Sequence, residues 1–212
     1  MRNLLSTVAF VAHGIVGYTS IVLLILGEFN YVGTVFLLYS LTSIFVAYFT
    51  YMLLYQCSSV VMTVSGKVEK IIEERKAIDP MSYNTYLLYS DIPLRLRRRA
   101  SFNPFAVIIS LLVFGVMIEI PFLNTLVIVY YISRSSYLLD EAIVAIGQLG
   151  ISLIHPRNVG THLVLGVITM GASLPYFMNR LSQLSSQVAS LSLSPPQDQG
   201  SNQGSSAPGG TP

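Results

Sequence analysis

The chain has 212 residues, of which 52% are hydrophobic and only 10% are charged, and its formal net charge is +2. Ordinary soluble domains contain roughly 25% charged residues, so this composition, with a mean hydropathy of +0.62, excludes an ordinary soluble globular protein. We predict an all-α fold, a polytopic transmembrane bundle of about four spans, because helices satisfy their own backbone hydrogen bonds in lipid. The single cysteine, Cys57, excludes an intramolecular disulfide.

Two apolar runs without charged residues begin the chain. Residues 4–26 form the first, which as a helix rising about 1.5 Å per residue crosses a hydrocarbon core of about 30 Å. The short connection GEFN, residues 27–30, leads to the second run, residues 31–55. We expect a first transmembrane hairpin within residues 1–63, with its second helix continuing out of the membrane as far as the residues before Pro80.

A basic segment, residues 64–103, follows this hairpin. It holds 13 of the charged residues, which number 12 basic and 10 acidic in the whole chain. We expect a cytoplasmic loop that starts as a solvated helix and continues as irregular or short-helical structure on the membrane surface. Four arginines at its end are predicted to contact anionic lipid headgroups, at about 1 kcal/mol each. They are Arg95, Arg97, Arg98 and Arg99. Since the membrane explains this cluster, no nucleic-acid partner is expected.

The third apolar run, residues 105–133, is too long for an upright span. It is either one tilted helix kinked at Pro121 or a hairpin of two half-spans that turns near residues 119–124. We favour the kinked helix, because residues 105–118 are fewer than the roughly 17 needed to cross.

The rest of the chain completes the second transmembrane region, residues 104–180. Residues 137–154 are interpreted as an interfacial or partly inserted helix, and residues 159–178 as a fourth span. Residues 181–212 begin as an amphipathic helical extension resting on lipid, and from Ser194 the composition is typical of a disordered tail. The stripe of the extension consists of Leu181, Leu184, Val188 and Leu191.

The basic residues predict the topology, because Lys and Arg flanking the spans favour the cytoplasmic side. With four spans, Arg2, the eight Lys and Arg of the central loop and Arg180 share one side. Arg134 and Arg157 lie on the other. We therefore expect both termini and the loop in the cytoplasm.

One acid stands inside the apolar sequence. Glu119 precedes Pro121 by two residues, and an ionised carboxylate in lipid costs at least a few kcal/mol. Proline also leaves a helical carbonyl unpaired, so Glu119 and the nearby Asn124 are a candidate intramembrane polar site. His13 and His162, in the first and fourth expected spans, are candidates to meet this acid. Glu119 is a protonated acid bonded to a neighbouring helix, a loop acid if residues 105–133 form a hairpin, or part of a transport path.

No enzyme motif occurs in the chain, and its three histidines have no metal-ligand spacing. We therefore expect no catalytic residue, no metal and no cofactor. The leading expectation is a non-enzymatic membrane structural or interaction component, with the lipid bilayer as its partner and with homo- or hetero-oligomers forming through the transmembrane helices. The alternative is a small ion- or proton-coupled transporter or channel subunit that uses Glu119.

The stretch LVLGVITMGASLPYFMNRLSQ, residues 163–183, resembles the final span of small prokaryotic multi-span membrane proteins of unknown function. The matching positions are Thr169, Gly171, Tyr176 and Arg180, and Pro175 departs from the pattern. The resemblance implies a prokaryotic plasma membrane and assigns no activity.

Overall fold

The structure is a computed structural model that describes residues 2–78, 83–117, 121–148 and 159–190. These residues are almost entirely helical, which confirms the all-α class. The helices are α1 (Arg2–Leu26), α2 (Phe29–Ile78), α3 (Tyr83–Ala100), α4 (Pro104–Leu112), α5 (Pro121–Gln148), α6 (Val159–Ile168) and α7 (Leu174–Ser190), with a π-helical turn at Val113–Met117. Three segments are long and apolar enough to cross a membrane, namely Leu4–Leu26, Asn30–Glu74 and Asp91–Val116.

Helices α1 and α2 form an antiparallel pair joined at Gly27, whose φ of 73° favours glycine. The first candidate span begins and ends where the sequence predicts. Helix α2 is continuous over 50 residues, so it extends for about 75 Å, more than twice the thickness of a hydrocarbon core. It reaches Ile78, two residues before Pro80. The predicted helical continuation is therefore confirmed.

Helix α3 packs along the far half of α2. The Ser65 hydroxyl donates to the carbonyl of Pro93 at 2.8 Å, and the Ser58 hydroxyl donates to the carbonyl of Ala100 at 2.6 Å. Of the irregular or short-helical structure expected here, residues 83–100 adopt the helical alternative, as one helix of 18 residues although Pro93 lies inside it. The physical reason is burial, because α3 covers an apolar stripe of α2. That stripe and its cover comprise Val61, Val64, Val68, Ile92 and Leu96.

Contacts between α4 and α5 run antiparallel. The hydroxyls of Ser110 and Tyr131 lie 2.7 Å apart, and further from the connection Arg134 donates to the carbonyl of Ser101 at 3.4 Å. A helix merely kinked at Pro121 would carry these partners away from each other. The kinked helix favoured from the sequence is therefore wrong, and the chain forms an α4–α5 hairpin.

The tip of this hairpin closes between Gly115 and Asn124, since a Cβ placed on Gly115 would lie 3.4 Å from Asn124 Oδ1. Residues 118–120, with Glu119, lie outside the described residues. Because the hairpin returns to the side it entered, Arg134 lies beside Ser101 and close to the arginine cluster. The expectation that Arg134 lies on the opposite side is wrong.

Helix α5 continues without a break from Pro121 to Gln148. It therefore includes residues 137–148, which the sequence assigned to a separate interfacial helix; residues 149–154 lie outside the described part. The interpretation as a separate helix is wrong for residues 137–148, because they continue α5 and pack into the core. Its buried side chains include Leu138, Leu139, Ala142, Ile143 and Ile146.

The expected fourth span, residues 159–178, is not one helix. Helix α6 has only 10 residues, about 15 Å and half of the hydrocarbon thickness. The chain then turns back, because the His162 ring lies 5.2 Å from the Phe177 ring and Gly166 is packed directly against Leu174. Helices α6 and α7 thus form a second hairpin, the α6–α7 hairpin.

Residues 169–173 separate α6 from α7, and the hydrogen bonds at the end of α6 are those of a common helix C-terminal motif. The N–H of Gly171 donates to the carbonyl of Gly166 at 2.7 Å, and that of Met170 donates to Val167 at 3.2 Å. Met170 and Gly171 have φ values of 49° and 91°, so the helix ends in a Schellman motif. Pro175 follows in the first turn of α7, where it costs no hydrogen bond.

The tips of the two hairpins meet on the same side of α1. A Cβ on Gly17 would lie 3.6 Å from Pro121 Cβ and 3.8 Å from Met170 Sδ. One turn earlier, a Cβ on Gly14 would lie 2.9 Å from Ala172 Cβ. Glycine at these two positions allows both tips to reach the backbone of α1, near the middle of its span.

The apolar stripe of α7 packs against the bundle. The expectation that it rests on lipid is therefore wrong for the described part of the stripe. Leu181 and Val188 are buried, and the Gln56 amide of α2 donates to the Ser185 hydroxyl at 2.7 Å. Residues 191–212, including the predicted disordered tail, lie outside the described residues.

Candidate functional site

Polar side chains from three helices meet near the hairpin tips, in surroundings that are otherwise apolar. Helix α1 contributes one, α2 three and α5 one. We call them the mid-span polar cluster: His13, Tyr39, Thr42, Ser43 and Asn124. Thr42 is half-buried and the other four are at most 2% exposed. Such groups are costly in an apolar interior unless they are hydrogen-bonded.

Asn124 is the centre of this cluster. Its amide nitrogen lies 3.1 Å from Ser43 Oγ, 3.2 Å from Tyr39 Oη and 3.4 Å from His13 Nε2. An amide NH₂ has two protons, so it donates fully to two of these three acceptors. The distances favour Ser43 and Tyr39, which leaves His13 Nε2 with the weakest share.

The hydroxyl protons of the α2 residues are donated to backbone carbonyls. Ser43 Oγ and Thr42 Oγ1 donate to the carbonyl of Tyr39, at 2.8 and 2.9 Å. Tyr39 Oη donates to the carbonyl of Pro121 at 3.2 Å. These hydroxyls are therefore acceptors toward Asn124 and His13, and the phenol also bonds the first residue of α5.

The tautomer of His13 follows from this arrangement. Because Thr42 donates its proton elsewhere, it accepts from His13 Nδ1 at 3.3 Å. Nδ1 then carries the proton, and Nε2 is the acceptor that faces Asn124. The imidazole ring also stacks on Tyr39, with ring centroids 4.5 Å apart. The two ring nitrogens of His13 thus face partners on α2 and α5, respectively.

The structure brings together two of the four polar residues that the sequence nominated. His13 and Asn124 meet in the cluster. His162 does not, because its ring lies between Tyr176 and Phe177 of α7, at 5.6 and 5.2 Å. Glu119 lies outside the described residues, so its predicted place in the site stays a prediction.

Protein-family models, curated proteins and solved structures were compared with the chain. None of them matches it. The chemistry of the cluster is therefore argued from its geometry, and the resemblance of residues 163–183 to small prokaryotic membrane proteins stays a prediction.

Sequence reasoning missed the three residues that α2 supplies. Tyr39, Thr42 and Ser43 are spaced i, i+3 and i+4 within an apolar helix, which places them on one face. That spacing was a usable signal. It does not, however, identify the partners on α1 and α5, which depend on how the helices pack.

The cluster offers one imidazole, one amide and three hydroxyls, which suit hydrogen bonding between helices better than metal binding. Within the described ranges, no three His, Cys, Asp or Glu side chains converge as metal ligands. Every donor assigned above is used inside the cluster or on a neighbouring carbonyl. The arrangement is therefore that of a hydrogen-bonded lock between α1, α2 and α5.

The four arginines predicted to bind lipid headgroups lie near the end of α3 and divide into two pairs. Arg97 forms an ion pair with Glu69 of α2, and Arg99 forms one with Glu141 of α5. Arg99 also lies 5.5 Å over the Tyr137 ring. Arg95 and Arg98 are exposed and have no ion-pair partner among the described residues. Their contact with headgroups stays a prediction.

A cleft of about 330 Å³ opens between the first turns of α1, the middle of α2 and α7. Its walls include phenylalanine, methionine and leucine side chains together with hydroxyls and amides, and none of the residues that line it is charged. The polar members include Ser6, Gln56, Ser59, Asn179 and Ser182. Ser6 lies two residues from the start of the first candidate span, Leu4–Leu26.

Proposed function

We propose that this chain is a non-enzymatic, multi-pass membrane protein that acts as a structural component through contacts with lipid and with other proteins. One observation carries this proposal: the polar groups of the mid-span cluster bond to each other across three helices, and four of the five residues are almost completely buried. A polar network of this kind fixes how helices pack in lipid. A site for a polar ligand would instead hold groups directed into an open cavity.

The apolar surface supports the same proposal. Many large hydrophobic side chains of α1 and α2 are exposed, which in a membrane makes them the surface for lipid or for neighbouring helices. Examples on these two helices are Leu5, Ile15, Ile25, Leu37 and Phe45. Homo- or hetero-oligomers would form through this surface.

We place the protein in a plasma membrane with both termini and the α2–α3 pair in the cytoplasm. The position of Arg134 beside Ser101 supports this orientation, since it adds a basic residue to the side that already carries the arginine cluster. The exposed Arg95 and Arg98 would contact anionic headgroups there.

Transport is the second candidate, and the α4–α5 hairpin favours it. Gly115 and Pro121, on either side of the undescribed residues 118–120, both contact the polar cluster. Glu119 is separated from Pro121 by one residue in the sequence. An acid inside a membrane is a common element of proton and ion paths.

Flux measurement in proteoliposomes separates the two candidates. Wild type, Glu119→Gln and Glu73→Gln are reconstituted at equal density, and uptake of protons and of monovalent cations is followed. Glu73 is a matched control, because it is exposed on the part of α2 outside the expected span. A structural component gives the same leak-level flux in all three. Flux that is lost only in Glu119→Gln would replace our proposal with transport.

A further inference from the structure

Burial is unequal along the α1–α2 pair. Between residues 21 and 38, no described side chain is buried, whereas further along α2 buried positions recur from Tyr39 onward. This change occurs where the tips of both hairpins reach Gly17. On one side of the tips, no other helix of the described residues packs on α1 and α2. On the other side, α4, α5, α6 and α7 pack around them.

The hairpin tips lie near the middle of the first candidate span, Leu4–Leu26. Gly17 is about 20 Å along the helix from Leu4 and about 14 Å from Leu26, at 1.5 Å per residue. The ascending arms are correspondingly short. Helix α4 with its π-helical turn is about 21 Å long and α6 about 15 Å, against a hydrocarbon core of about 30 Å. Neither helix is long enough to cross by itself, and the third candidate span, Asp91–Val116, reaches its length only by including the end of α3 with the arginine cluster.

The outer surfaces of both hairpins are apolar, as expected of helices in the hydrocarbon layer. On α4, Phe105 is 76% exposed, and on α6 both Val164 and Ile168 are 59% exposed. Two short, lipid-compatible hairpins therefore enter from the side of the arginine cluster and end inside the hydrocarbon layer, after about two thirds of its thickness for α4 and about half for α6.

We propose that this asymmetry makes the protein a membrane wedge, which bends the bilayer or accumulates where the bilayer is already curved. The inference rests on the proposed function, since it requires insertion in a membrane. A helix about 10 Å across covers about 80 Å², so six helices against two give an excess area of about 300 Å² in one leaflet. Expansion of that leaflet makes the basic side convex.

Lipid is the occupant we assign to the bare part of α1 and α2. Most of its exposed side chains are large and apolar, and the one charged residue between residues 21 and 38 is Glu28, in the connection between α1 and α2. The large apolar side chains include Val22, Ile25, Tyr31, Leu37 and Leu38. A second copy of the chain packed on this surface would add protein area to the leaflet that holds only two helices, and would remove the wedge. Such a dimer is therefore one outcome of the test.

The test uses the full-length protein with one labelling site, Lys70→Cys. The Lys70 side chain is 78% exposed and the native Cys57 is buried, so a maleimide dye reports residue 70 alone. The labelled protein is reconstituted into phosphatidylcholine vesicles of mixed diameter, and its density is measured vesicle by vesicle. A membrane-impermeant quencher then identifies molecules whose basic side faces outward.

A wedge is several-fold denser on small vesicles when its basic side faces outward, and depleted from them when it faces inward. The opposite signs are an internal control, since the protein is the same in both. Density independent of diameter in both orientations overturns the wedge, as does a crosslinked dimer through residues 21–38. Extraction with alkaline carbonate is measured first: release from the vesicles refutes the proposed function, whereas retention without curvature preference refutes the wedge alone.

Discussion

The amide nitrogen of Asn124 lies 3.2 Å from the phenol oxygen of Tyr39, and this contact joins α5 to α2 where both residues are almost fully buried. Tyr39 in turn donates to the carbonyl of Pro121, the first residue of α5. The end of the α4–α5 hairpin is thus bonded to α2 at two points. In an apolar interior, no water replaces these bonds if they are lost.

Replacement of Asn124 by leucine should destabilise the protein by about 1–2 kcal/mol, because the hydroxyls of Tyr39 and Ser43 lose their donor. The measurement is the unfolding midpoint of purified protein in mild detergent. Asn179→Leu is the control, since this half-buried asparagine of α7 lies outside the cluster. Equal midpoints for the two variants would mean that the cluster does not stabilise the helix packing.

Gly14→Ala should separate α1 from the tip of the α6–α7 hairpin. A methyl group there would lie 2.9 Å from Ala172 Cβ and 3.0 Å from the backbone oxygen of Thr169. Neither atom belongs to the end of a flexible side chain, so neither can move aside without a shift of the backbone. We expect a loss of about 1–3 kcal/mol, as for overpacking in a core. The same thermal unfolding measurement checks it.

The matched control for this change is Gly33→Ala on α2, where a methyl group would have no neighbour within 4 Å. Alanine favours a helix over glycine by up to about 1 kcal/mol, so this variant should be neutral or slightly stabilised. A Gly14→Ala variant that unfolds no earlier than Gly33→Ala contradicts the close contact at residue 14.

Arg99→Gln should destabilise the junction of α3 and α5 by about 1 kcal/mol, because it removes the partner of the largely buried Glu141 carboxylate. The exposed part of the pair keeps the effect small. Arg98→Gln, one residue earlier and exposed, should be close to neutral. In the double variant Arg99→Gln, Glu141→Gln, less should be lost than the two single changes add up to, and additive losses would argue against the pair.

Cysteine labelling from one side of sealed vesicles tests the hairpin topology. Residues 98 and 134, each replaced by cysteine, should react from the same side, because Arg134 bonds the carbonyl of Ser101. Glu28→Cys, in the connection between α1 and α2, should react from the other side. The native thiol is buried and contributes little background. If residue 134 reacts from the same side as residue 28, the chain crosses the membrane between residues 98 and 134, and the α4–α5 hairpin is contradicted.

Local signals in the sequence were sufficient for the first part of the fold. The charge-free run of residues 4–26 predicted the first span because its length and apolarity are properties of that segment alone. Pro80 likewise predicted the end of α2 through a missing N–H and a steric clash. The break at residues 169–173 also had a local signal, since Gly171 and then Pro175 are typical of a helix end, but the apolar run concealed it.

The direction of each later helix was decided by tertiary contacts. Residues 105–133 are equally apolar whether the chain crosses or turns back, and only tertiary contacts, such as those of Ser110 with Tyr131 and of Arg134 with Ser101, distinguish the two. For the same reason, the sequence assigned Arg134 to the wrong side. A hydropathy pattern measures how strongly a segment prefers lipid, and this preference is the same whether the segment crosses the membrane or turns back within it.

The candidate site divides in the same way. The sequence by itself determined that His13 and Asn124 are polar groups in apolar runs, which must find partners because lipid supplies none. It did not determine which partners, since His13 and Asn124 are 111 residues apart. Only the packing of α1, α2 and the α4–α5 hairpin brought them to Tyr39 and Ser43, because hydrogen bonds depend on distances of about 3 Å that no spacing along one chain encodes.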